Sequence, residues 1–220
     1  MQFAHLHPWN LSPGEAVTLQ KEMASQVIYD REIPLSRVKL VAGVDVSVKD
    51  EVSQAAVVVL TYPHLEVVEV QLAAQPTPFP YVPGLLTFRE GPALVEAFEK
   101  LEHEPDVFIF DGMGRIHPRR MGIAAHMGLW LGRPTIGCGK THLIGHYSEP
   151  AQERGSYSPL TYYGEQLGVV LRTRDKVKPV YISPGHLIDL DSAINIVMAC
   201  TPKYRLPEPI RRAHNAAGQL

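Results

Sequence analysis

The sequence predicts an α/β protein whose mixed central sheet carries helices on both faces. Three β-type segments follow one another at residues 39–48, 55–62 and 66–74. A nearly all-apolar segment at 106–111 is typical of a strand covered on both faces. Segments with helical spacing alternate with the later strands, which favours layers of helices around a sheet.

The first elements are a helix and a meander of strands. Ser12 and Pro13 predict a helix start, as N-cap and first helical residue. The helix then places one apolar face, made of Ala16, Leu19, Met23 and Val27. The short run TYPH separates the second and third strands, so the three strands are expected to form an antiparallel meander.

The middle of the chain alternates helix and strand. Thr87 and Glu90 have the spacing of a capping box, which predicts a helix over residues 87–101. A second helix is predicted over 121–132, ending at Gly132. The segment 133–140 then predicts a short strand that runs into a glycine turn.

The last third is less regular. Residues 145–166 are rich in Tyr, Ser, Gly and Pro and are expected to form an excursion without a predicted role. The segments 167–173 and 178–183 predict a hairpin, and 189–201 predicts a helix with Asp189 at its start. A proline-rich tail follows, in which no element is predicted.

Composition restricts the class of protein. A chain of 220 residues is expected to form a single domain over residues 1–220. Its net charge of −2 and pI near 6.5 exclude a basic nucleic-acid coat, so any nucleic-acid contact needs a local patch. The two cysteines form no CxxC pair, and no apolar run reaches membrane-spanning length. The first residues, MQFAHLHPWN, have neither the basic nor the apolar region of a signal peptide, so none is expected. A cytoplasmic protein is therefore expected.

Three carboxylates are candidates for chemistry, each with an ordinary alternative. Asp45 interrupts an apolar strand. It is expected to face solvent, to pair with a basic residue, or to belong to a functional site. Asp111 ends an apolar strand, where ligands of α/β sheets often bind, but the Asp-Gly pair also suits a turn. Glu90 either completes the capping box or joins the other two around a hard cation such as Mg²⁺.

Two glycine-bearing segments could lie beside such a site. Gly112 and Gly114 allow close approach of a ligand, and the residues that follow are basic or histidine: Arg115, His117, Arg119 and Arg120. They are expected either to face a phosphate backbone or to be solvated. Lys140 follows a glycine turn that lacks P-loop spacing, and the histidines show no zinc-site spacing.

Four segments together resemble the endonuclease V family, and the resemblance spans residues 11–214. They are VAGVDVSV, PYVPGLLTFREGPALVEAF, DVFIFDGMGRIHPRRMGIAAHMGLWLGRPTIGCGKTHLIG and YISPGHLIDLDSAINIVMACTPKYRLPEPIRRAH. The resemblance implies a ribonuclease H-like fold and metal-centred acids at Asp45, Glu90 and Asp111. It implies that Lys140 supports the scissile phosphate and that His214 joins the site.

The resemblance also implies how a lesion is recognised. Proline stiffens a loop and an exposed ring can stack where a base has left, which suits a strand-separating wedge formed by Pro80, Tyr81, Val82 and Pro83. The family usually has isoleucine where Val82 stands. The pocket for the flipped base is implied at Gly84, Leu86, Gly112, Gly114, His117 and Ile123, with His117 close to the lesion strand.

The implied activity is a Mg²⁺-dependent endonuclease, with Mn²⁺ as a substitute, acting on DNA that contains deoxyinosine. The cut falls at the second phosphodiester 3′ of the lesion and leaves 3′-hydroxyl and 5′-phosphate ends. Three alternatives stay open: a nuclease for inosine-containing RNA, a non-catalytic lesion-binding module, and a small-molecule phosphohydrolase. A monomer without membrane contact is expected.

Overall fold

The computed structural model describes residues 1, 3 and 5–218, so the expectation that residues 2, 4, 219 and 220 join the same domain lies outside the described residues. A short 3₁₀ helix at Leu35–Arg37 joins α1 to the sheet. The helices and strands are, in chain order, α1 (Pro13–Ala24), β1 (Leu40–Lys49), β2 (Val52–Thr61), β3 (Val67–Pro76), α2 (Leu86–Glu99), β4 (Val107–Phe110), α3 (Ile123–Leu131), β5 (Thr135–Gly139), β6 (Tyr157–Tyr162), β7 (Glu165–Leu171), β8 (Val180–Pro184), α4 (Leu190–Ala199) and α5 (Glu208–Ala217).

All eight strands belong to one mixed sheet with the order β3-β2-β1-β4-β5-β8-β7-β6. The predicted antiparallel meander of β1, β2 and β3 is confirmed. The strands β1, β4 and β5 are parallel to one another, and β5, β8, β7 and β6 then alternate in direction. The carboxyl ends of β4 and β5 therefore lie beside the middle of β1, where the pairing of β1 with β4 ends at Val44.

Helices cover both faces, as the sequence predicts. Phe108 and Phe110 of β4 belong to a core shared with α2 and α3. Val107 and Ile109 point the other way, into a core shared with α4 and α5. In β1, Ala42 and Val44 face the α2/α3 side. Because side chains alternate along a strand, Gly43 and Asp45 face the α4/α5 side. Among the described residues, none of the helices has the length and apolar character to span a bilayer.

The predicted start of α1 is confirmed. Ser12 and Glu15 form a reciprocal capping box, in which the Ser12 amide donates to Glu15 Oε2 at 2.8 Å. The helix ends at Ala24, earlier than the apolar spacing suggests. Val27 still packs beside Met23 in a cluster that also contains Met121.

The predicted capping box at Thr87 and Glu90 is wrong. The helix α2 begins at Leu86, follows Leu85, and has no side-chain cap. The Leu85 amide donates to the Val82 carbonyl at 2.9 Å, so a β-turn leads directly into the helix. Thr87 is buried within the first turn, and the Glu90 carboxylate is thereby free for another role.

Two elements lie where the sequence predicts none. The strand β6 forms part of the expected excursion and pairs antiparallel with β7. The helix α5 forms within the proline-rich tail, with Pro207 as its N-cap residue and Pro209 near its first position. The predicted hairpin of β7 and β8 is confirmed.

Candidate active site

Asp45 lies in the middle of β1, directly after the last residue of β1 that pairs with β4, and is almost fully buried. It points to the α4/α5 side of the sheet, where the His214 Nδ1 on α5 donates to its Oδ2 at 2.7 Å. The alternative that Asp45 faces solvent is wrong, because Asp45 is buried, whereas the expected pairing with a basic residue is confirmed by His214. The contact places His214 beside Asp45, although the sequence does not predict the helix α5 that carries His214.

Gly43 explains how α5 comes so close. A Cβ on Gly43 would lie 2.0 Å from the Pro209 carbonyl oxygen, so only glycine allows the helix to start against β1. Gly43 and Asp45 share one face of the strand because side chains alternate. The close approach at Gly43 therefore sets the height of α5 and places His214 over Asp45.

Asp111 and Lys140 follow the two neighbouring parallel strands. The Asp111 amide donates to the Val44 carbonyl at 2.9 Å, which ties the end of β4 to β1. Lys140 follows β5, and its ammonium is ion-paired with the Asp111 carboxylate. The Arg205 guanidinium donates to the Lys140 carbonyl at 2.8 Å and so fixes the backbone of this lysine.

The structure brings Asp45, Asp111 and His214 together. One ligand atom from each lies within 4.8 Å of the others. Burial raises the pKa of Asp45, and the Asp111 charge raises it further, against the opposing effects of His214 and Lys140. Two crowded carboxylates with an imidazole are an oxygen-rich donor set that fits a hard divalent cation.

Glu90 lies outside that set of three but close enough to interact with it. Burial raises the pKa of Glu90 most, and the charges of Asp45 and Asp111 raise it further. With the opposing effect of Arg89 included, the pKa of Glu90 is raised to about 8. A cation beside these groups would relieve the repulsion, so the residues present fit a metal site.

A cavity of about 440 Å³ opens beside the acids. Asp111 and Lys140 line it together with most of the residues predicted for the wedge and pocket. Those lining residues are Tyr81, Val82, Pro83, Gly84, Leu86, Gly112, His117 and Ile123. Pro80 and Gly114 are not among its lining residues. A Cβ on Gly114 would lie 2.1 Å from the Pro184 carbonyl oxygen, so this glycine lets the cavity floor pack on β8.

The loop predicted to form the wedge, residues 80–83, carries an exposed ring. Tyr81 is 72% exposed, although Val82 packs against the cluster that contains Phe88. Pro83 and Gly84 occupy the central positions of the turn closed by the Val82–Leu85 hydrogen bond, and the φ of Gly84 is +80°. This is the pattern of a type II turn, which requires glycine at its third position.

The basic residues that follow Gly114 are bound by neighbours within the protein and are not simply solvated. Arg115 and Arg120 are both ion-paired with Glu165 of β7, and Arg115 also lies over the Tyr29 ring. Arg119 is bonded to Gln20 and Gly84. These partners are distant in sequence, so a local pattern of basic residues could not reveal that the charges are already paired.

Several residues of the site have no counterpart in the sequence predictions. Thr141, His142 and Leu143 line the cavity directly after Lys140. Arg205 fixes Lys140, and Gln20 reaches the wedge loop from α1. The one available signal was a buried-face glutamine among apolar residues of α1, which is unusual without a partner.

Comparison with known proteins agrees with this geometry. The sequence profile of the family described as Endonuclease V matches residues 21–215. Endonuclease V of Trichormus variabilis is 51% identical over 219 residues, which cover 99% of each chain. The crystal structure of endonuclease V from Streptomyces avermitilis has a TM-score of 0.92 and 42% identity, covering 96% of this chain and 93% of that one.

A further solved structure contains nucleic acid. It is Ciona intestinalis endonuclease V in complex with a 24mer DNA containing an inosine followed by a ribo-adenosine. It has a TM-score of 0.83 and 30% identity, and it covers 94% of this chain and 96% of that chain. The mixed sheet is thus the ribonuclease H-like fold of these enzymes, and this chain belongs to the endonuclease V family of nucleases.

Proposed function

We propose that this chain is a Mg²⁺-dependent endonuclease that recognises deoxyinosine in DNA. It hydrolyses the second phosphodiester 3′ of the lesion and leaves 3′-hydroxyl and 5′-phosphate ends. The observation that carries the proposal is that Asp111 belongs to the Asp45–Asp111–His214 cluster and also lines the cavity that Tyr81 lines. The inosine-containing DNA bound by the Ciona protein supports the substrate class.

The acids have distinct roles in this proposal. Asp45 and Asp111 hold the cation through carboxylate oxygens, and Glu90 completes the negative field around it. A bound divalent cation supplies Lewis acidity toward the phosphate and lowers the pKa of water. Mn²⁺ prefers similar oxygen ligands and is proposed to substitute for Mg²⁺.

The neighbouring residues orient these groups. His214 fixes the rotamer of Asp45 through its Nδ1 and presents an exposed ring to the site. The Lys140 ammonium, paired with Asp111, sets a positive charge where the scissile phosphate would lie. Its backbone is held by Arg205, so the charge is preorganised before substrate binds.

Recognition is proposed to separate the strands and enclose the base. Tyr81 stacks in the place of the extruded base, which is worth about 1–3 kcal/mol, similar to the few kcal/mol needed to flip a base. The cavity beside it accepts the flipped hypoxanthine between Gly84, Gly112 and Ile123. Backbone groups of the cavity other than the Gly84 carbonyl would leave adenine with unpaired polar groups, which favours hypoxanthine.

A second candidate is a nuclease that acts mainly on inosine-containing RNA. The ribo-adenosine in the Ciona complex favours it, because that strand carries a 2′-hydroxyl directly after the inosine. Matched strands with one inosine, either all deoxyribose or all ribose, distinguish the candidates. Faster cleavage of the deoxyribose strand in Mg²⁺ is expected, and faster cleavage of the ribose strand would support the alternative.

A further inference from the structure

The carbonyl oxygen of Gly84 accepts hydrogen bonds from three side chains. Gln20 Nε2 lies 3.1 Å from it, Arg119 Nη2 lies 2.8 Å from it, and His117 Nε2 lies 2.9 Å from it. A carbonyl has two lone pairs, so three donors use its full accepting capacity. Such convergence on one backbone atom requires a reason.

The three donors also hold one another. Arg119 Nε donates to Gln20 Oε1 at 2.6 Å, which links α1 to the loop after β4. His117 Nδ1 accepts from the amides of Arg119 and Met121 at 3.2 and 3.3 Å. Burial lowers the pKa of His117 to about 4, so the neutral ring keeps one N–H, on Nε2, for Gly84. The four residues form a closed unit, which we name the Gly84 clamp.

The clamp acts on the turn that joins the wedge to α2. Gly84 adopts a φ of +80°, and a Cβ there would meet Arg119 Nη2 at 2.8 Å. Fixing its carbonyl fixes the peptide plane of the turn. The direction in which Tyr81 projects and the position of the cavity rim at Leu86 are then fixed as well.

Burial separates Gln20 from direct nucleic-acid contact. Its side chain is 1% exposed and shares a helix face with Ala16 and Met23. A buried amide in such a place costs free energy unless its hydrogen bonds are made, and leucine would pack there without that cost. Gln20 also lies just before the residues matched by the family profile.

We propose that Gln20 and Arg119 are positioning residues for lesion recognition. With His117 they hold the Gly84 carbonyl, so that Tyr81 and the cavity rim are preorganised to open a duplex at inosine. The inference rests on the proposed function and deepens it. Because the Gly84 carbonyl is fully occupied, contacts to the edge of a flipped base come from other groups of the cavity.

The variant Gln20→Leu tests the clamp through a ratio of two rates. It removes both the donor to Gly84 and the acceptor for Arg119. The kcat/KM for duplex inosine DNA, divided by that for single-stranded inosine DNA, is expected to fall roughly fivefold to tenfold, the equivalent of one or two hydrogen bonds. Strand opening is needed only in the duplex, so general destabilisation would not change the ratio.

The matched control is Met23→Ala, which removes buried apolar contacts from the same helix and deletes none of the hydrogen-bonding groups of the clamp. Its duplex-to-single-strand ratio is expected to equal that of the wild type. An unchanged ratio in Gln20→Leu, or an equal fall in Met23→Ala, would overturn the proposal. If Gln20→Leu does not fold, Gln20→Glu keeps the Arg119 contact, loses the Gly84 donor, and is expected to show the same direction of change.

Hydrogen exchange separates the clamp from the proposed function. The Leu85 amide, which closes the turn, is expected to exchange faster in substrate-free Gln20→Leu than in the wild type or Met23→Ala. Equal exchange in all three proteins would overturn the clamp. If the wild type cleaves neither inosine substrate, the proposed function fails, and the exchange comparison still decides whether the clamp exists.

Discussion

Two regions lie side by side around one cavity and are held in place by different interactions. The catalytic edge consists of the proposed catalytic residues Asp45, Glu90, Asp111 and Lys140, and the wedge region consists of residues 80–84. At the catalytic edge, β1, the end of β4 and the start of α2 bring Asp45, Asp111 and Glu90 close together, so that burial and repulsion raise the pKa values of Asp45 and Glu90. In the wedge region, Tyr81 is exposed and carried by a loop that hydrogen bonds to Gly84 stabilise. In the first region, carboxylates repel one another, and a bound cation would reduce that repulsion. In the second region, the loop conformation is fixed before a nucleic acid binds.

The largest expected effect separates chemistry from recognition. Asp111→Asn or Asp45→Ala removes a carboxylate of the cluster, and cleavage is expected to fall by roughly a thousandfold or more, because metal assistance supplies several kcal/mol. Binding of inosine DNA, measured by fluorescence anisotropy, is expected to remain largely intact. Asp191→Asn, at an exposed carboxylate of α4, is the control. Retained cleavage in either variant would contradict the assignment of these acids.

The next largest effect tests the packing beneath the catalytic edge. Gly43→Ala drives a methyl group into the Pro209 carbonyl, so α5 must move and carry His214 away from Asp45. The free energy of unfolding is expected to fall by about 1–3 kcal/mol, measured by urea titration, with cleavage reduced about tenfold or more. The Cβ added by Gly14→Ala meets no atom within 4 Å, so that variant should behave as the wild type. Unchanged activity in Gly43→Ala would remove His214 from the site.

A smaller effect belongs to the wedge. Tyr81→Ala removes the exposed ring, and the Kd for duplex inosine DNA is expected to rise about tenfold, within the range of one stacking interaction. The dependence of cleavage on Mg²⁺ concentration should stay the same, since no acid is changed. Tyr157→Ala removes an exposed ring far along the chain and is the control. An affinity for duplex inosine DNA that Tyr81→Ala leaves unaltered would argue against the wedge.

The smallest effect is one of pH on stability without divalent cations. Folded Glu90 keeps its proton up to pH about 8, whereas the unfolded chain releases it near 4.5, so the folded state loses stability as pH rises between those values. Urea unfolding in EDTA is expected to show a shallower decline for Glu90→Gln than for the wild type. Glu99→Gln, near the end of the same helix, should follow the wild type. Parallel wild-type and Glu90→Gln curves would mean that Glu90 is not crowded by the other acids.

The resemblance to the endonuclease V family predicts the proposed catalytic residues better than their surroundings. The local pattern singles out Asp45 and Asp111, because a carboxylate in or directly after an apolar strand is unusual, but it leaves an ordinary alternative for each. The pairing of Arg115 and Arg120 with Glu165 depends on the position of β7 in the sheet, three strands from β4. No local sequence pattern predicts that position. No helix is predicted at α5, because Pro207 and Pro209 make the tail look irregular. Both prolines lie at the start of the helix, where proline is common. Glu90 was ambiguous because a capping box and a metal site require the same residue type.

The most direct test of the account is the site of cleavage in an end-labelled duplex carrying one deoxyinosine. Wild type and Asp111→Asn would be compared in Mg²⁺ and in EDTA, with products sized against a sequencing ladder. The account predicts one cut by the wild type in Mg²⁺, at the second phosphodiester 3′ of the inosine, and none in EDTA or by Asp111→Asn. A cut at another position, a cut in EDTA, or equal cleavage by the variant would contradict it.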